Sequence, residues 1–227
     1  MASRVAATLL AITAAITAAV FIGCVDELPA DRPEPESWAD LSTAFDTADL
    51  QDVDLVFRRG RDAIADAVMT YGKGSRYSHV GAIVLRDGRP FVIHAIPGEG
   101  SDPGGVVEEP FPVFGSPAAA ADLGVYRLTD LTDEQRAGMV RYLEAQRGKP
   151  FDLELRASDD EAQYCTELVF RALEAGEVPS VGQIETIESG LMSEPVIAPE
   201  ALLALPGVAP VPTGVASSRE PARGITP

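Results

Sequence analysis

The chain has 227 residues, with 18 Lys and Arg against 35 Asp and Glu and a formal net charge of -17. That length builds one sizeable domain, or at most two small ones. The acidity excludes nucleic acid as a natural partner and gives an anionic membrane surface no hold on the body of the protein.

In chain order, Arg4 is followed by an apolar run over 5–21 and then by Ile22-Gly23-Cys24. A short basic start, an apolar centre and a small residue before a break predict a secretory signal over 1–23. The run is also about as long as a marginal membrane span, so a retained anchor is the alternative, with ordinary secretion a third. Phe21-Ile22-Gly23-Cys24 resembles a bacterial lipobox, in which Cys24 becomes the lipidated first residue. All three readings place the body outside the cytoplasm, in the cell envelope and facing the periplasm or extracytoplasmic side. Residues 24–45 are acidic and Pro-rich and read as a tether, with Trp38 able to dock it. The domain is expected over 46–214, and a polar tail over 215–227 is expected to be disordered.

Within the domain, 52–59 reads as a strand in which Val53, Leu55 and Phe57 alternate, and 61–71 reads as a helix. Residues 97–105 form a Gly/Pro loop, 106–109 a short strand, 110–121 an irregular stretch and 123–128 a strand. Thr132 with Gln135 three residues later predicts a capping box at the head of a helix that ends at Gly148. Its core side is Met139, Val140 and Leu143. A second helix covers 165–175, is closed by Gly176, and buries Leu168, Val169, Ala172 and Leu173. A short helix covers 199–205, with Pro199 in its first turn. Strands and helices do not alternate regularly, so the pattern predicts an α+β fold, with helices against a small, mostly antiparallel sheet.

The stretch from Tyr77 to Ala95 holds both histidines of the chain, His79 and His94. It reads as a β-hairpin turned at Asp87-Gly88. This register sets Arg86 against Arg89, Leu85 against Pro90, Ile83 against Val92 and Gly81 against His94. His79, Gly81, Ile83, Val92 and His94 then share one face, with Gly81 leaving open space beside His94. Val80, Ala82, Val84, Phe91, Ile93 and Ala95 share the other, which is apolar and expected to be core. The two imidazoles become diagonal neighbours roughly 7–8 Å apart at the backbone.

Cys165 stands at the start of its helix, where unpaired amides and the helix dipole favour a thiolate. The same amides can stabilise an oxyanion. A buried cysteine is often inert, but one cysteine at a helix start and two histidines on one strand face suit a Cys–His–polar triad. Cys165 is the nucleophile, His79 the base and His94 the residue that orients it. A zinc site built from the same three side chains is the alternative, although their spacing matches no zinc signature. No cofactor and no metal is expected.

The segments SHVGAIVLRDGRPFVIHA, DLVFRRG, VYRL, GKPFD and YCTELVF together resemble the NlpC-type cell-wall peptidases of the papain-like superfamily. With Cys165 after His79, their order is similar to that of the circularly permuted YiiX/YebB/YaeF-like branch. The likeness covers about 52–211. It implies a permuted papain-like fold and carries the roles of nucleophile to Cys165, base to His79 and third polar group to His94, where permuted relatives often have Glu. It also implies that Tyr164 lines the oxyanion site. Val53-Asp54 stands where the branch usually has Gly-Asp. The implied reaction is cleavage of an amide, such as a peptidoglycan peptide, through an acyl-Cys165 intermediate, by a monomer held at the membrane by its N-terminal lipid. A lipid acyltransferase or esterase with the same Cys–His pair is the second reading, and a non-catalytic binding module the third.

Overall fold

The strands and helices follow the predicted apolar periodicities closely in a computed structural model that describes residues 44–61, 75–98, 103–187 and 193–213. Strand β1 is Leu55–Arg59, β2 His79–Arg86, β3 Arg89–Pro97 and β4 Gly104–Pro110. A short helix α1 (Phe111–Phe114) leads into β5 (Asp122–Leu128) and then α2 (Asp133–Gln146). Helix α3 (Cys165–Ala175) is followed by a 3-10 turn at Pro179–Gln183, β6 (Thr186–Ile187), β7 (Val196–Ile197), α4 (Pro199–Leu203) and β8 (Val208–Pro210). One six-stranded sheet has the order β4–β3–β2–β1–β5–β8, and β6 pairs with β7 in a separate ribbon. Every named pairing is antiparallel. The fold is α+β, as expected.

The hairpin register is the predicted one, running from Arg86↔Arg89 to Ala82↔Ile93. Asp87 and Gly88 both have positive φ, 51° and 75°, which is the paired left-handed geometry of a type I′ turn. Val80, Ala82, Val84, Ile93 and Ala95 form one core with Met139 and Leu143 of α2 and with Leu168, Val169, Ala172 and Leu173 of α3. The opposite face is also core, which differs from the expectation. Ile83 and Val92 pack there with Val56, Val125, Phe45, Phe111 and Phe114. Gly81 leaves no open space: a Cβ there would stand 2.6 Å from Val92 Cγ1 and 2.9 Å from His94 Cβ. The glycine lets the neighbouring strand carry His94 at close range.

Helix α2 starts with the predicted capping box, Thr132 and Gln135 each accepting the other's backbone N–H. Gly148 past its end has φ 84°, as a helix stop requires. The stretch over 110–121, read as irregular, holds α1, because Phe111 and Phe114 are both fully buried and one helical turn places them on the same side. Phe45, assigned to the tether, is core and packs edge-on against Phe111, with ring centroids 6.1 Å apart. The signal and lipobox through Cys24, Trp38, the helix over 62–71 and the tail over 215–227 lie outside the described residues. Among the described residues no helix is long and apolar enough to cross a membrane.

Two features pin β1. Val53, just before the strand, is buried and takes φ 61°, a left-handed conformation that glycine adopts freely and a β-branched residue does not. Valine holds this turn under strain. Next to it, fully buried Asp54 accepts from Nε and Nη2 of Arg127 on β5, both at 2.7 Å, and from the Gln51 N–H at 2.8 Å. Removing one partner of a buried, bidentate ion pair leaves the other charge uncompensated. Asp54→Ala is therefore expected to lower stability by roughly 3 kcal/mol, read as a lower urea midpoint. A midpoint equal to that of the parent would refute the pairing as a stability element.

Candidate active site

The ladder between β2 and β3 stops at Ala82↔Ile93. Ile83 directs its N–H to Asp54 on the β1 side, so by strand alternation the N–H of Val80 points to the β3 side. Cys165, the first residue of α3, meets the sheet there, where the Val80 N–H favours its thiolate. The amides of Thr166 and of Cys165 itself also favour the thiolate. The structure therefore brings Cys165 to the backbone of the residue that follows His79.

Burial nevertheless raises the Cys165 thiol above its ordinary value, against the pull of these amides and of the Arg58 charge. The expectation of a depressed thiol is corrected on this point: desolvation of the anion outweighs the helix N-terminus. Burial likewise pushes His79 well below the usual imidazole range, helped by Arg58 and His94. A neutral thiol and a neutral imidazole are the ground state that these directions describe. Cys165 and His79 are each only partly buried, whereas His94 is 1 % exposed. Of these three side chains, only Cys165 and His79 reach solvent.

The two histidines are joined directly. His79 Nε2 and His94 Nδ1 are 2.8 Å apart, with the rings nearly perpendicular at 77°. His94 Nε2 lies 3.0 Å from Glu109 Oε1, and that oxygen sits off the line of the ring N–H. The same oxygen is 3.5 Å from Arg58 Nη1. Arg58 also donates to the Phe114 carbonyl at 3.2 Å and lies over the Phe114 ring, 4.3 Å from its centroid. Phe114 closes this side, stacked on His79 at 5.8 Å and edge-on to His94 at 5.1 Å.

Glu109, Arg58 and Phe114 escaped the sequence reading. Glu109 stood in a predicted short strand, but nothing local gave the β3–β4 register. The observed pairing, Val92↔Glu109 and His94↔Val107, puts Glu109 on the face of His94 at a diagonal position. Arg58 was seen as a strand residue, and its position opposite His79 follows only from the β1–β2 pairing. Phe114 was placed in an irregular stretch.

Tyr164, expected at the oxyanion site, is anchored through its hydroxyl. Its ring is buried, and its hydroxyl accepts the Ile197 N–H at 3.4 Å, while burial pushes its pKa up to about 12. The phenol ties α3 to the β6–β7 ribbon, as does Thr166 Oγ1 donating to the Ile197 carbonyl at 2.7 Å. The zinc arrangement also differs from the geometry found. Two nitrogens 2.8 Å apart and pointing at each other hold a proton between them, whereas zinc needs about 2.0–2.1 Å to each. Among the described residues no group of three His, Cys, Asp or Glu side chains converges to hold a metal ion.

Residues 49–212 match a family model described as permuted papain-like amidase enzyme, YaeF/YiiX, C92 family. The chain is 26% identical over 145 residues to a protein of Escherichia coli strain K12 named "Uncharacterized protein YiiX", covering 63% of this chain and 67% of that one. A crystal structure titled metalloprotein yiiX, from Escherichia coli O157:H7, superposes with a TM-score of 0.55 at 20% identity, over 72% of this chain and 97% of that one. At that identity the likeness is one of fold.

The same helix start carries a second titrating group. Glu167 is fully buried, accepting from Arg171 Nε at 3.3 Å and from the Tyr164 N–H at 3.4 Å. Burial outweighs Arg171 and raises its carboxyl to about 7. A folded value above the unfolded one means that its contribution is present in full below the ordinary carboxylate range and is lost as pH rises through about 7. Glu167→Gln keeps the shape and removes the titration. Relative to the parent, the variant is expected to gain stability between pH 5 and pH 8, by at most about 3 kcal/mol. Urea midpoints at the two pH values check this, and a parallel pH dependence in both proteins would contradict it.

Proposed function

Because this chain belongs to the C92 family of permuted papain-like amidases, we propose that it is a cysteine amidase of the cell envelope, with Cys165 as nucleophile, His79 as base and His94 as the ring that orients His79. The observation that carries this reading is a coincidence at one point of the sheet. The Val80 N–H favours the thiolate of Cys165, and His79, one residue earlier, holds His94 at 2.8 Å. His79 Nε2 is engaged by that contact, so Nδ1 is the nitrogen left for the thiol proton.

The chemistry follows from the neutral pair. As Cys165 Sγ attacks the amide carbonyl carbon, its proton passes to His79, and the carbonyl electrons move to oxygen. The amides at the start of α3 are the donors nearest to that developing charge. The C–N bond then breaks, His79 gives the proton to the leaving amine, and an acyl-Cys165 thioester remains. Water, deprotonated by His79, attacks the thioester and releases the acid and the thiol. The substrate class proposed is a cell-wall peptide amide. The apolar run over 5–21 ahead of Ile22-Gly23-Cys24, which reads as a signal with a lipobox, supports that placement.

The experiment is to incubate the protein with muropeptides and with phospholipids and read product masses, then quench in acid and search the Cys165 peptide for an acyl adduct. Amide cleavage and an adduct on Cys165 are expected. Cys165→Ala should abolish both, and His79→Ala should slow turnover by about 10²- to 10⁴-fold. The acid limb of the rate should lie below the ordinary histidine range, because His79 stays neutral and able to accept a proton down to its lowered pKa. Ester products alone would replace the amidase by a lipid esterase or acyltransferase. An absence of acyl-Cys165 with either substrate would overturn the reading.

A further inference from the structure

We infer that Glu109 is a positioning residue that fixes which nitrogen of each histidine carries the proton, an inference that rests on the roles proposed for Cys165 and His79. A carboxylate accepts hydrogen bonds and cannot donate them. Glu109 Oε1 lies 3.0 Å from His94 Nε2, off the line of the ring N–H, and a carboxylate that close favours a proton on Nε2 over a bare lone pair. A neutral His94 then has a bare Nδ1, which can only accept. His79 Nε2, 2.8 Å away, must donate to it. A neutral His79 then has a bare Nδ1, the atom that the proposed mechanism needs as base. Reversing either ring would set two lone pairs or two N–H groups against each other at hydrogen-bond distance, inside a site where a mismatched polar pair is costly.

The surroundings support each premise. Burial lowers the His94 pKa despite its contact with Glu109, so the ring is neutral. Burial would raise the Glu109 carboxyl, but His94 and Arg58 more than offset it and hold it below its ordinary value. The strand pairing puts Glu109 on the His94 face, and Phe114 covers both rings from the same side. Glu109 contacts His94 and Arg58. It acts through His94.

The chain has only two histidines, so long-range 1H–15N spectra of the 15N-labelled full chain contain two rings and report their tautomers directly. In the parent both rings are expected as Nε2–H. Glu109→Leu should convert His94 partly or wholly to Nδ1–H, or protonate neither ring uniquely. Glu109→Gln, whose amide oxygen can still accept, should restore the parent pattern. On amide substrate, kcat should fall at least about tenfold in Glu109→Leu, with KM held and kcat rescued in Glu109→Gln. A parent spectrum with either ring mainly Nδ1–H overturns the inference without any variant. So does a Glu109→Leu spectrum identical to the parent. If that variant does not fold, the parent and Glu109→Gln spectra decide alone. The two proposals fail separately: loss of acyl-Cys165 formation with both rings as Nε2–H removes the catalytic reading only, and an unmoved spectrum with trapped acyl-Cys165 removes the role of Glu109 only.

Discussion

The site depends on where one ladder of hydrogen bonds ends. Up to Ala82↔Ile93, β2 and β3 satisfy each other. Beyond that point the Val80 N–H faces away from β1 and needs another acceptor, and a buried amide without one would cost about 1–3 kcal/mol. The Cys165 sulfur stands where that N–H favours its thiolate. The start of α3 is held there by the apolar contacts of Leu168, Val169, Ala172 and Leu173 further along the helix. The strand end thus presents that amide toward the thiol, and the residue that precedes Val80 is His79.

The two cores divide the labour around this point. One face of the sheet holds α2 and α3 and fixes the height of Cys165 above β2. The other is roofed by Phe45, Phe111 and Phe114 and encloses the imidazoles. Gly81 joins the two functions. Its missing side chain lets Val92 and His94 approach within a distance that any Cβ would forbid. The second roof also explains why the electrostatics run toward neutrality. An aromatic lid desolvates both rings, and Arg58 beside them adds to the cost of a further positive charge.

Much of this was legible in the residues. Period-two alternation with Asp87-Gly88 gave the hairpin register, and Thr132 with Gln135 and the glycines at 148 and 176 bounded the two long helices. These are local signals, and local signals survive in a sequence. Sharing of a face by His79 and His94 follows from the same register. What the residues did not reveal is non-local. The pairing of β3 with β4 decides that Glu109, and not Glu108, faces His94, since one residue of slip exchanges the two. Glu108 instead lies on the α2 face, opposite Ile93, where it pairs with Arg86 and Arg147. The net direction of the Cys165 shift was likewise hidden, because it is a contest between amide donors, which the helix start announces, and burial, which only the assembled core determines.

The placement of the negative charge has a consequence for the base proposed at His79. A carboxylate touching the catalytic imidazole directly would favour imidazolium and raise its pKa. Here the carboxylate is one ring further away, and the ring between them is neutral. The direction of each proton is transmitted through His94 by hydrogen-bond complementarity, while the field of Glu109 reaches His79 weakened by distance and opposed by Arg58, which lies nearer to the carboxylate than any other cation named around it. His79 thus keeps a lowered pKa, with Coulombic contributions from Arg58 and His94 and burial as the largest cause. Orientation and basicity are set by different groups in this arrangement. A His at position 94 with Glu109 behind it is therefore not equivalent to a Glu at position 94: the first fixes a tautomer in a neutral site, and the second would do so only by also drawing a proton onto the base.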